Sequence, residues 1–322
     1  MINLKNSSIE KFASYAQGKK VYAFGAGKYM RVFCEMFPEY NIEKTIFSFT
    51  DNDSDKWGKD YIVNEHAIPI VSIDDFVGNI GKNDIILISA YSYSDIVEQL
   101  NKIQKLDGID CFILISISFA NLPAKEIFTK IKRNNLWGSP ESVSGPGSEI
   151  ENTKSLVLEL PKLFKSKNIT SILDIPCGDF NWMKEMDLSA IDYLGADIVD
   201  ELVLENQKKI WRQTAGRGYK NFITLNIVTD NLHKRDLIFT RDCFIHLSNS
   251  DIQKAIGNIK KSGSKYLMAT TYVNHDYNCD IITGEFRPVN LQKEPFNFPE
   301  PECLLLENDA GKAMGLWEVG GM

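Results

Sequence analysis

The feature that most constrains the fold is a repeated alternation of short, continuous apolar runs with longer stretches whose apolar residues have helical spacing. Continuous runs rich in β-branched residues are typical of strands buried on both faces of a sheet. Helices between such strands supply the crossovers that parallel pairing requires. The pattern therefore predicts an α/β architecture with mostly parallel, doubly wound sheets.

The alternation occurs twice along the chain. In the first half, the predicted strands are residues 20–24, 44–50, 84–90 and 111–116, and the predicted helices are 28–37 and 94–106. In the second half, the predicted strands are 170–175, 192–198, 221–227, 235–240 and 265–271, and the predicted helices are 153–164, 200–211 and 249–262. Two domains agree with a length of 322 residues, since one domain usually has about 100–200.

A change of composition separates the two sets of elements. Residues 132–150 are rich in glycine, serine and proline, which is typical of loops. We predict a first domain over 1–131, a lid or linker over 132–150, and a second domain over 151–322. A passive linker and an ordered lid both remain open, although Trp137 would be an unfavourable residue in a solvated tether.

Charge and cysteine content narrow the partners and the compartment. The formal net charge is −7, so we expect no nucleic-acid partner. The six cysteines form no CxxC pair and no zinc-like spacing with histidine, which predicts reduced thiols in a cytoplasmic protein without a metal site. The N-terminus lacks a signal pattern, and the apolar runs are shorter than the roughly 20 residues of a membrane helix. We therefore expect no membrane partner, while the oligomeric state is not predicted.

The strongest candidate site follows the strand at 170–175. This strand ends in Asp174 and continues into a tight turn that contains Gly178, and Asp197 ends the next predicted strand. The carboxyl ends of adjacent parallel strands are where doubly wound sheets bind ligands. The turn lets backbone approach a ligand, and Asp197 can accept hydrogen bonds from ribose hydroxyls. This pair fits any adenosine-containing cofactor.

The same turn is a poor match to a dinucleotide site. Such a site needs the GxGxxG pattern, so that a pyrophosphate can lie at a helix N-terminus. Here Gly178 stands alone between Cys177 and Asp179. Carboxylates at Asp174 and Asp179 would repel a pyrophosphate, but they suit a ligand with an amino group and a sulfonium charge.

These residues, in this order, resemble the class I S-adenosylmethionine-dependent methyltransferases over about residues 136–317. The resemblance implies a class I methyltransferase fold for the C-terminal domain and S-adenosyl-L-methionine as the cofactor. Together with the strand–helix alternation of the first half, the fold class that we expect is two Rossmann-like doubly wound domains with mostly parallel sheets. The cofactor-binding residues that it implies are Asp174, Pro176, Cys177, Gly178, Asp179, Trp182, Asp197, Ile198, Asn226, Ile227, Arg241 and Asp242. Pro176 and Cys177 depart from the usual glycine-rich first motif.

A narrower resemblance is to a bacterial subfamily of small-molecule methyltransferases. The segments that carry it are LWGS (136–139), DIPCGDFNWM (174–183), RDCFIHL (241–247) and DIITGEFRPVNL (280–291). Members are commonly associated with glycan or secondary-metabolite tailoring. The resemblance implies methylation of a small acceptor, such as a hydroxyl of a sugar or a phosphoryl-type group, in the biosynthesis of a polysaccharide such as a capsule.

His246 is the candidate catalytic residue, because a histidine near neutral pH can take a proton from a hydroxyl or amine that attacks the methyl group. A structural histidine bonded to backbone is an equally good interpretation. The candidate substrate-binding residues are Trp137, Ser142, Tyr272, Asn274, His275 and Arg287.

Simpler interpretations accompany the other candidates. Asn226 could be an ordinary turn residue, Trp182 could belong to the core, and Arg241 could form a buried ion pair with Asp242.

The first domain carries a weaker signal. Gly25-Ala26-Gly27 follows a predicted strand and Asp51 ends the next one, which resembles a Rossmann-type nucleotide fold, but the third glycine position holds Met30. The domain either binds a nucleotide or a nucleotide-linked acceptor, or acts as a scaffold for oligomers or cleft closure, and we favour the scaffold. An NAD(P)-dependent oxidoreductase built on this domain and a non-catalytic nucleotide-binding module are the alternative functions.

Overall fold

The computed structural model describes residues 1–91, 93–213 and 220–322. The chain divides into two compact units, Met1–Pro123 and Ala124–Met322. No helix within the described residues combines the length and the apolar content that crossing a membrane requires.

The first unit is built around a parallel sheet. Its elements in chain order are β1 (Asn3–Leu4), α1 (Ile9–Tyr15), β2 (Val21–Phe24), α2 (Lys28–Met36), β3 (Ile46–Thr50), β4 (Asp60–Val63), β5 (His66–Pro69), α3 (Ile73–Asn79), β6 (Ile85–Ile88), α4 (Ser94–Asn101), β7 (Asp110–Ile113) and α5 (Leu114–Phe119). Five strands lie in the order β1-β7-β6-β2-β3 and all pair in parallel, while β4 and β5 form a separate hairpin. The strand order reverses between β2 and β6, which places a crevice at their carboxyl ends.

The second unit has a larger sheet. Its elements are α6 (Ala124–Arg133), α7 (Ile150–Ser166), β8 (Ser171–Asp174), β9 (Asp192–Asp197), α8 (Asp200–Gln213), β10 (Lys220–Thr224), β11 (Leu237–Thr240), α9 (Asn249–Ser262), β12 (Tyr266–Tyr272), β13 (Cys303–Leu306) and β14 (Lys312–Glu318). The strand order is β10-β9-β8-β11-β12-β14-β13, and β14 runs in the direction opposite to the other six strands. The order reverses between β8 and β11, which places the ligand crevice of a doubly wound sheet there.

The central strands of this unit are covered on both faces, which explains their continuous apolar sequences. Ile172 of β8 packs in the same apolar cluster as Leu156 and Leu160 of α7. The next residue, Leu173, packs in a second cluster with Ile252 of α9. Successive side chains therefore enter different cores, and the α/β fold class with mostly parallel sheets is confirmed.

Residues 134–149, which we call the strap, form an ordered segment in the second unit. The preceding helix α6 is held to α8 by ion pairs from Lys132 to Glu201 and Glu205, at 3.0 and 2.7 Å. The contacts of α6 thus lie within the second unit, so the unit boundary falls after Pro123 rather than after residue 131.

Several local predictions differ from the structure, three of them clearly. The predicted strand 111–116 ends at Ile113, and its last residues begin α5. The predicted helix 94–106 ends at Asn101. The hairpin of β13 and β14 was missed in a tail without clear period. Short apolar runs look alike in a buried strand and a buried helix, so periodicity alone does not separate them.

Candidate active site

The carboxyl ends of the central strands in the second unit bring the predicted acids together. Asp174 is the last residue of β8, Asp197 is the last residue of β9, and Arg241 with Asp242 follow β11 directly. Because β9, β8 and β11 are adjacent and parallel, these residues share one edge of the sheet. This edge is the crevice where the strand order reverses.

Asp174 is a buried carboxylate whose environment disfavours its charge. Its side chain accepts a hydrogen bond from the hydroxyl of Tyr193, and the residue is 3% exposed. Burial raises the pKa of Asp174 to about 7, and the nearby charge of Asp197 also raises it, whereas the Tyr193 bond lowers it. Gly195 lies opposite Asp174, where a Cβ would lie 2.5 Å from the Phe222 ring and 3.2 Å from the Tyr193 ring. The glycine thus leaves room for these two rings beside Asp174.

Asp197 is held by backbone donors. Its two oxygens accept hydrogen bonds from the amides of Gly178, at 3.1 Å, and Val199, at 2.9 Å. Burial raises the pKa of Asp197 to about 6, although the hydrogen bonds from these amides act to lower it. Among the described residues, neither Asp174 nor Asp197 has a lysine, arginine or histidine as ion-pair partner. The charge of Arg241 lowers the pKa of Asp174 only in part. The crevice therefore contains two buried carboxylates that form no direct ion pair with the described residues.

The turn after β8 requires glycine at one position. Gly178 has φ +54°, and a Cβ there would lie 2.3 Å from Oγ of Ser144 in the strap. The same Ser144 hydroxyl accepts a hydrogen bond from the amide of Asp179 at 3.0 Å. The strap therefore packs directly on the turn, and a side chain at position 178 would separate them.

Asp179 fastens the strap to the turn. Its carboxylate accepts hydrogen bonds from the hydroxyl of Ser142, at 2.9 and 3.0 Å, and from the amide of Val143, at 3.1 Å. Asp179 is predicted to bind the cofactor and Ser142 the substrate, but in the structure their side chains are hydrogen-bonded to each other. Ser142 is 1% exposed, so in this arrangement it holds the strap and presents no surface to a substrate.

A buried cluster of charges follows β11. Arg241 donates to Oε2 of Glu307 and, at 2.8 Å, to the strap carbonyl of Gly147. Lys312 donates to Oδ2 of Asp242 at 2.7 Å. Arg241 and Asp242, both predicted to bind the cofactor, are thus engaged by the hairpin of β13 and β14 and by the strap.

Glu307 and Lys312 were missed by the sequence analysis. They flank the turn of the β13–β14 hairpin, and β14 runs antiparallel to β12, so its first residue reaches the same sheet edge as the ends of the parallel strands. Burial acts to raise the pKa of Asp242, but the charges of Arg241 and Lys312 outweigh it and hold that pKa well below its usual range.

His246 can accept a proton at one of its two ring nitrogens. Its Nδ1 lies 2.8 Å from the carbonyl oxygen of Glu285. Because a carbonyl only accepts, this contact places the ring proton on Nδ1 and leaves a lone pair on Nε2. Burial lowers the pKa of His246 to about 4, so the ring is neutral at pH 7. Trp137 of the strap stacks on the imidazole with ring centroids 4.9 Å apart.

Arg287 has a structural role. It is 2% exposed, and its guanidinium donates to the carbonyls of Cys279 and Phe244 and to Oδ1 of Asn249, at 3.0, 2.8 and 2.8 Å. These bonds attach the long segment after β12 to the start of α9. Its predicted substrate contact would require breaking them.

The other predicted substrate residues lie after β12. Burial raises the pKa of the Tyr272 phenol, and the charges of Asp242 and Glu307 raise it further, which places Tyr272 beside the charge cluster. Asn274 is exposed, and His275 lies against Tyr277 with ring centroids 5.2 Å apart. Tyr272 is thus the residue of this group with an electrostatic link to the site.

Several predicted cofactor residues have simpler surroundings. Asn226 accepts the amide of Val228 at 2.9 Å, as in an ordinary turn. Trp182 lies in the core, with the Arg241 guanidinium 5.4 Å from its ring centroid. The remaining three are the half-buried Pro176 and Ile198 and the buried Ile227.

Asn206 of α8 was also missed. Its amide donates to the carbonyl of Gly178 at 2.8 Å and lies 3.8 Å from the sulfur of Cys177. Burial and the nearby carboxylates raise the pKa of the Cys177 thiol well above its usual value, so this cysteine is neutral. Asn206 therefore contacts the turn through both Gly178 and Cys177 and stabilises it. Within the described part of the chain, no cluster of histidine, cysteine and acidic residues could hold a metal ion.

No family model matches the sequence, and no curated protein matches it. Among solved structures, magnesium protoporphyrin IX methyltransferase from Synechocystis with bound SAM has a TM-score of 0.43 at 13% identity, covering 62% of this chain and 97% of that chain. Human N-acetylserotonin methyltransferase in complex with SAM has a TM-score of 0.43 at 13% identity, covering 61% and 59%. A SAM-dependent methyltransferase from Clostridium acetobutylicum has a TM-score of 0.38 at 14% identity, covering 51% and 90%.

Proposed function

We propose that this protein is an S-adenosylmethionine-dependent methyltransferase that acts on a small acceptor, with the donor bound in the crevice of the second unit. The finer proposal is O-methylation of a sugar or a phosphoryl-type group in glycan biosynthesis. The observation that carries the proposal is the pair of buried carboxylates, Asp174 and Asp197, with no ion-pair partner among the described residues.

The charges of the crevice fit this donor. Burying a carboxylate is unfavourable unless a cation or hydrogen-bond donors compensate it. The donor would bring an ammonium group and a sulfonium, and its ribose would bring two hydroxyls. Each oxygen of Asp197 accepts a backbone amide and can still accept a second donor. We infer that Asp197 holds the ribose and that Asp174 stabilises the positive end of the ligand.

In the proposed reaction, the main task of the protein is to align the acceptor with the methyl group of the donor. When bound, the donor supplies a methyl group already activated by a positively charged sulfur. His246 can accept the hydroxyl proton of the acceptor at Nε2, since its own ring proton is held at Nδ1 by Glu285. The charge of Asp242 favours the protonated imidazole and would stabilise it after the transfer. The strap covers the turn after β8 and would exclude water from this region.

Ligand-induced stabilisation tests the proposal, because a ligand that binds the folded state raises the melting temperature. We expect S-adenosylhomocysteine to raise it and NAD to leave it unchanged. A shift with NAD alone would contradict the proposal and favour the oxidoreductase. No shift with either ligand would favour a binding module.

A second experiment tests the role of His246. His246→Gln should lower methyl transfer from labelled donor to the acceptor by about 10²–10⁴-fold, the usual contribution of a general base. Affinity for S-adenosylhomocysteine, measured by calorimetry, should stay within about twofold, because the imidazole lies outside the carboxylate pair. Unchanged turnover would remove His246 from the reaction.

A further inference from the structure

Trp137 connects the strap to His246. The indole and the imidazole stack with planes 29° apart and centroids at 4.9 Å. The backbone of the strap packs closely against this residue at Gly145. Gly145 has φ +91°, and a Cβ there would lie 3.0 Å from Cβ of Trp137. The sequence analysis assigned Trp137 to the substrate, whereas the structure places its ring on the candidate base.

The other contacts of the imidazole leave its plane undetermined. The bond from Nδ1 to the carbonyl of Glu285 fixes one direction of the ring, but the ring can still tilt about that bond. Phe286 lies at 5.9 Å with planes 50° apart, which is a looser contact than a stack. The stacked indole, at 4.9 Å with planes 29° apart, is the closer ring contact and restricts the plane of the imidazole. The plane decides where the Nε2 lone pair points.

The position of Trp137 depends on how the strap is seated. After Trp137, Ser142 and Ser144 are hydrogen-bonded to Asp179 in the turn after β8, and the carbonyl of Gly147 accepts a hydrogen bond from Arg241 at 2.8 Å. Before Trp137, the strap continues from α6, whose Lys132 pairs with Glu201 and Glu205 of α8. The strap is therefore held after Trp137 by residues at the crevice and before it by α6, and the indole lies on His246 between these two attachments.

We propose that Trp137 is a positioning residue for His246: the seated strap presses its indole on the imidazole, fixes the direction of the Nε2 lone pair and excludes water from the ring. This inference rests on the proposed function, because it assumes that the lone pair meets the acceptor. The charged groups that face the imidazole are Asp242, Arg287 and Lys312, and none of them lies in the strap. Removing Trp137 therefore changes hydration and geometry without removing a charge.

Imidazole NMR of the full-length protein tests the proposal without an acceptor. Histidine labelled with ¹⁵N reports both the tautomer and the pKa, and His246→Gln assigns the signal among the four histidines. In the wild type we expect the Nδ1-protonated form and a pKa well below the ordinary value of about 6.5. In Trp137→Ala, water reaches the ring, so the pKa should rise by about one unit or more and the tautomers should mix. Trp137→Phe retains an aromatic face and should stay close to the wild type.

The controls separate positioning from general destabilisation. Trp57→Ala removes a half-buried tryptophan of the first unit and should leave His246 unchanged. If Trp137→Ala does not fold, Trp137→Leu decides, because it keeps apolar bulk but lacks a flat face. A wild-type tautomer and pKa in the folded variant would overturn the proposal. Binding of S-adenosylhomocysteine by calorimetry should persist in all variants, because Asp174 and Asp197 are unchanged, and its absence in the wild type would overturn the proposed function instead.

Discussion

The two units place an acid beside a glycine-containing turn, but they neutralise that acid in different ways. In the first unit, Asp51 accepts the amide of Ala26 at 2.8 Å and the ammonium of Lys56 at 3.0 Å. In the second unit, Asp197 accepts two backbone amides and no cation. The first turn is satisfied by its own chain, whereas the second is left with negative charge that a ligand can neutralise.

The pKa values of these acids move in opposite directions. Burial acts to raise the pKa of Asp51, but the amide of Asp53 and the Lys56 ammonium outweigh it, so the net shift is downward. Burial prevails at Asp174 and Asp197, whose pKa values rise to about 7 and about 6. Ionisable groups with strongly shifted pKa values in a crevice are candidates for function. The comparison therefore supports the proposal that the second unit binds the ligand, and the scaffold role of the first unit stays a prediction.

Removing the charge of each acid should produce the largest difference between the two units. Asp197 accepts two backbone amides, and Asp197→Asn replaces one accepting oxygen with a donating NH₂ group. We therefore expect the binding free energy of S-adenosylhomocysteine to weaken by about 2–3 kcal/mol, or roughly 30- to 150-fold. Asp51→Asn is the matched control and should leave that affinity unchanged. Isothermal titration calorimetry measures both. Equal losses in the two variants would show that the acids are not functionally different.

The same edge of the sheet shows how far sequence alone reaches. The continuous apolar runs and the acids that end them predict the parallel sheet and the positions of Asp174 and Asp197, because strand ends are set by local sequence. The roles of Asp179 and Arg241 depend on the strap, which folds back over the turn from about 35 and 94 positions away. Such pairings come from tertiary packing and leave no periodic signal.

Glu307 and Lys312 illustrate the same limit. Their contribution depends on β14 being inserted antiparallel, so that a hairpin turn meets the ends of the parallel strands. The sequence around them is short and has no clear period. Tyr193 was missed for a related reason: it lies inside β9, where a buried tyrosine looks like any other core residue until its hydroxyl is seen on Asp174.

The glycines of the two turns should also differ in how much stability is lost when alanine replaces them. Gly178→Ala should destabilise the second unit by about 1–3 kcal/mol, since its φ is +54° and the new Cβ would meet Ser144 at 2.3 Å. Gly27→Ala has open space around the new Cβ and should change stability by less than about 0.5 kcal/mol. Urea unfolding compares the two. A small effect of Gly178→Ala would mean that the strap is not seated on the turn.

The raised pKa values predict a pH dependence in the second unit only. As pH falls from about 7 to 5, Asp174 and Asp197 take up protons, so affinity for the positively charged donor should fall by up to about tenfold per pH unit and proton. S-adenosylhomocysteine lacks the sulfonium and should depend on pH less steeply. Calorimetry at pH 5 to 8 measures both. Parallel profiles for the two ligands would contradict a contact between the carboxylates and the sulfonium.

The stability of the protein without ligand should also depend on pH through these acids. Between the unfolded pKa near 3.9 and the folded values, the native state holds more protons than the unfolded state, so the contribution of Asp174 and Asp197 to stability falls as pH rises through that window. Asp51 has a lowered pKa, so its contribution is present above the unfolded pKa and is lost only as pH falls through the folded value. Separate unfolding transitions at several pH values would show the opposite signs.

The smallest expected difference concerns one hydroxyl beside each turn. Ser144→Ala removes the acceptor for the amide of Asp179, while Tyr61→Phe removes the donor to the carbonyl of Gly27 at 2.6 Å in the first unit. Each should cost about 1 kcal/mol of stability, the usual contribution of one hydrogen bond. Only Ser144→Ala loosens a segment that covers the proposed donor site, so only this variant should speed dissociation of S-adenosylhomocysteine in stopped-flow measurements. Equal dissociation rates in both variants would show that the strap does not retain the ligand, because each substitution removes one hydroxyl beside a turn and only Ser144 belongs to the strap.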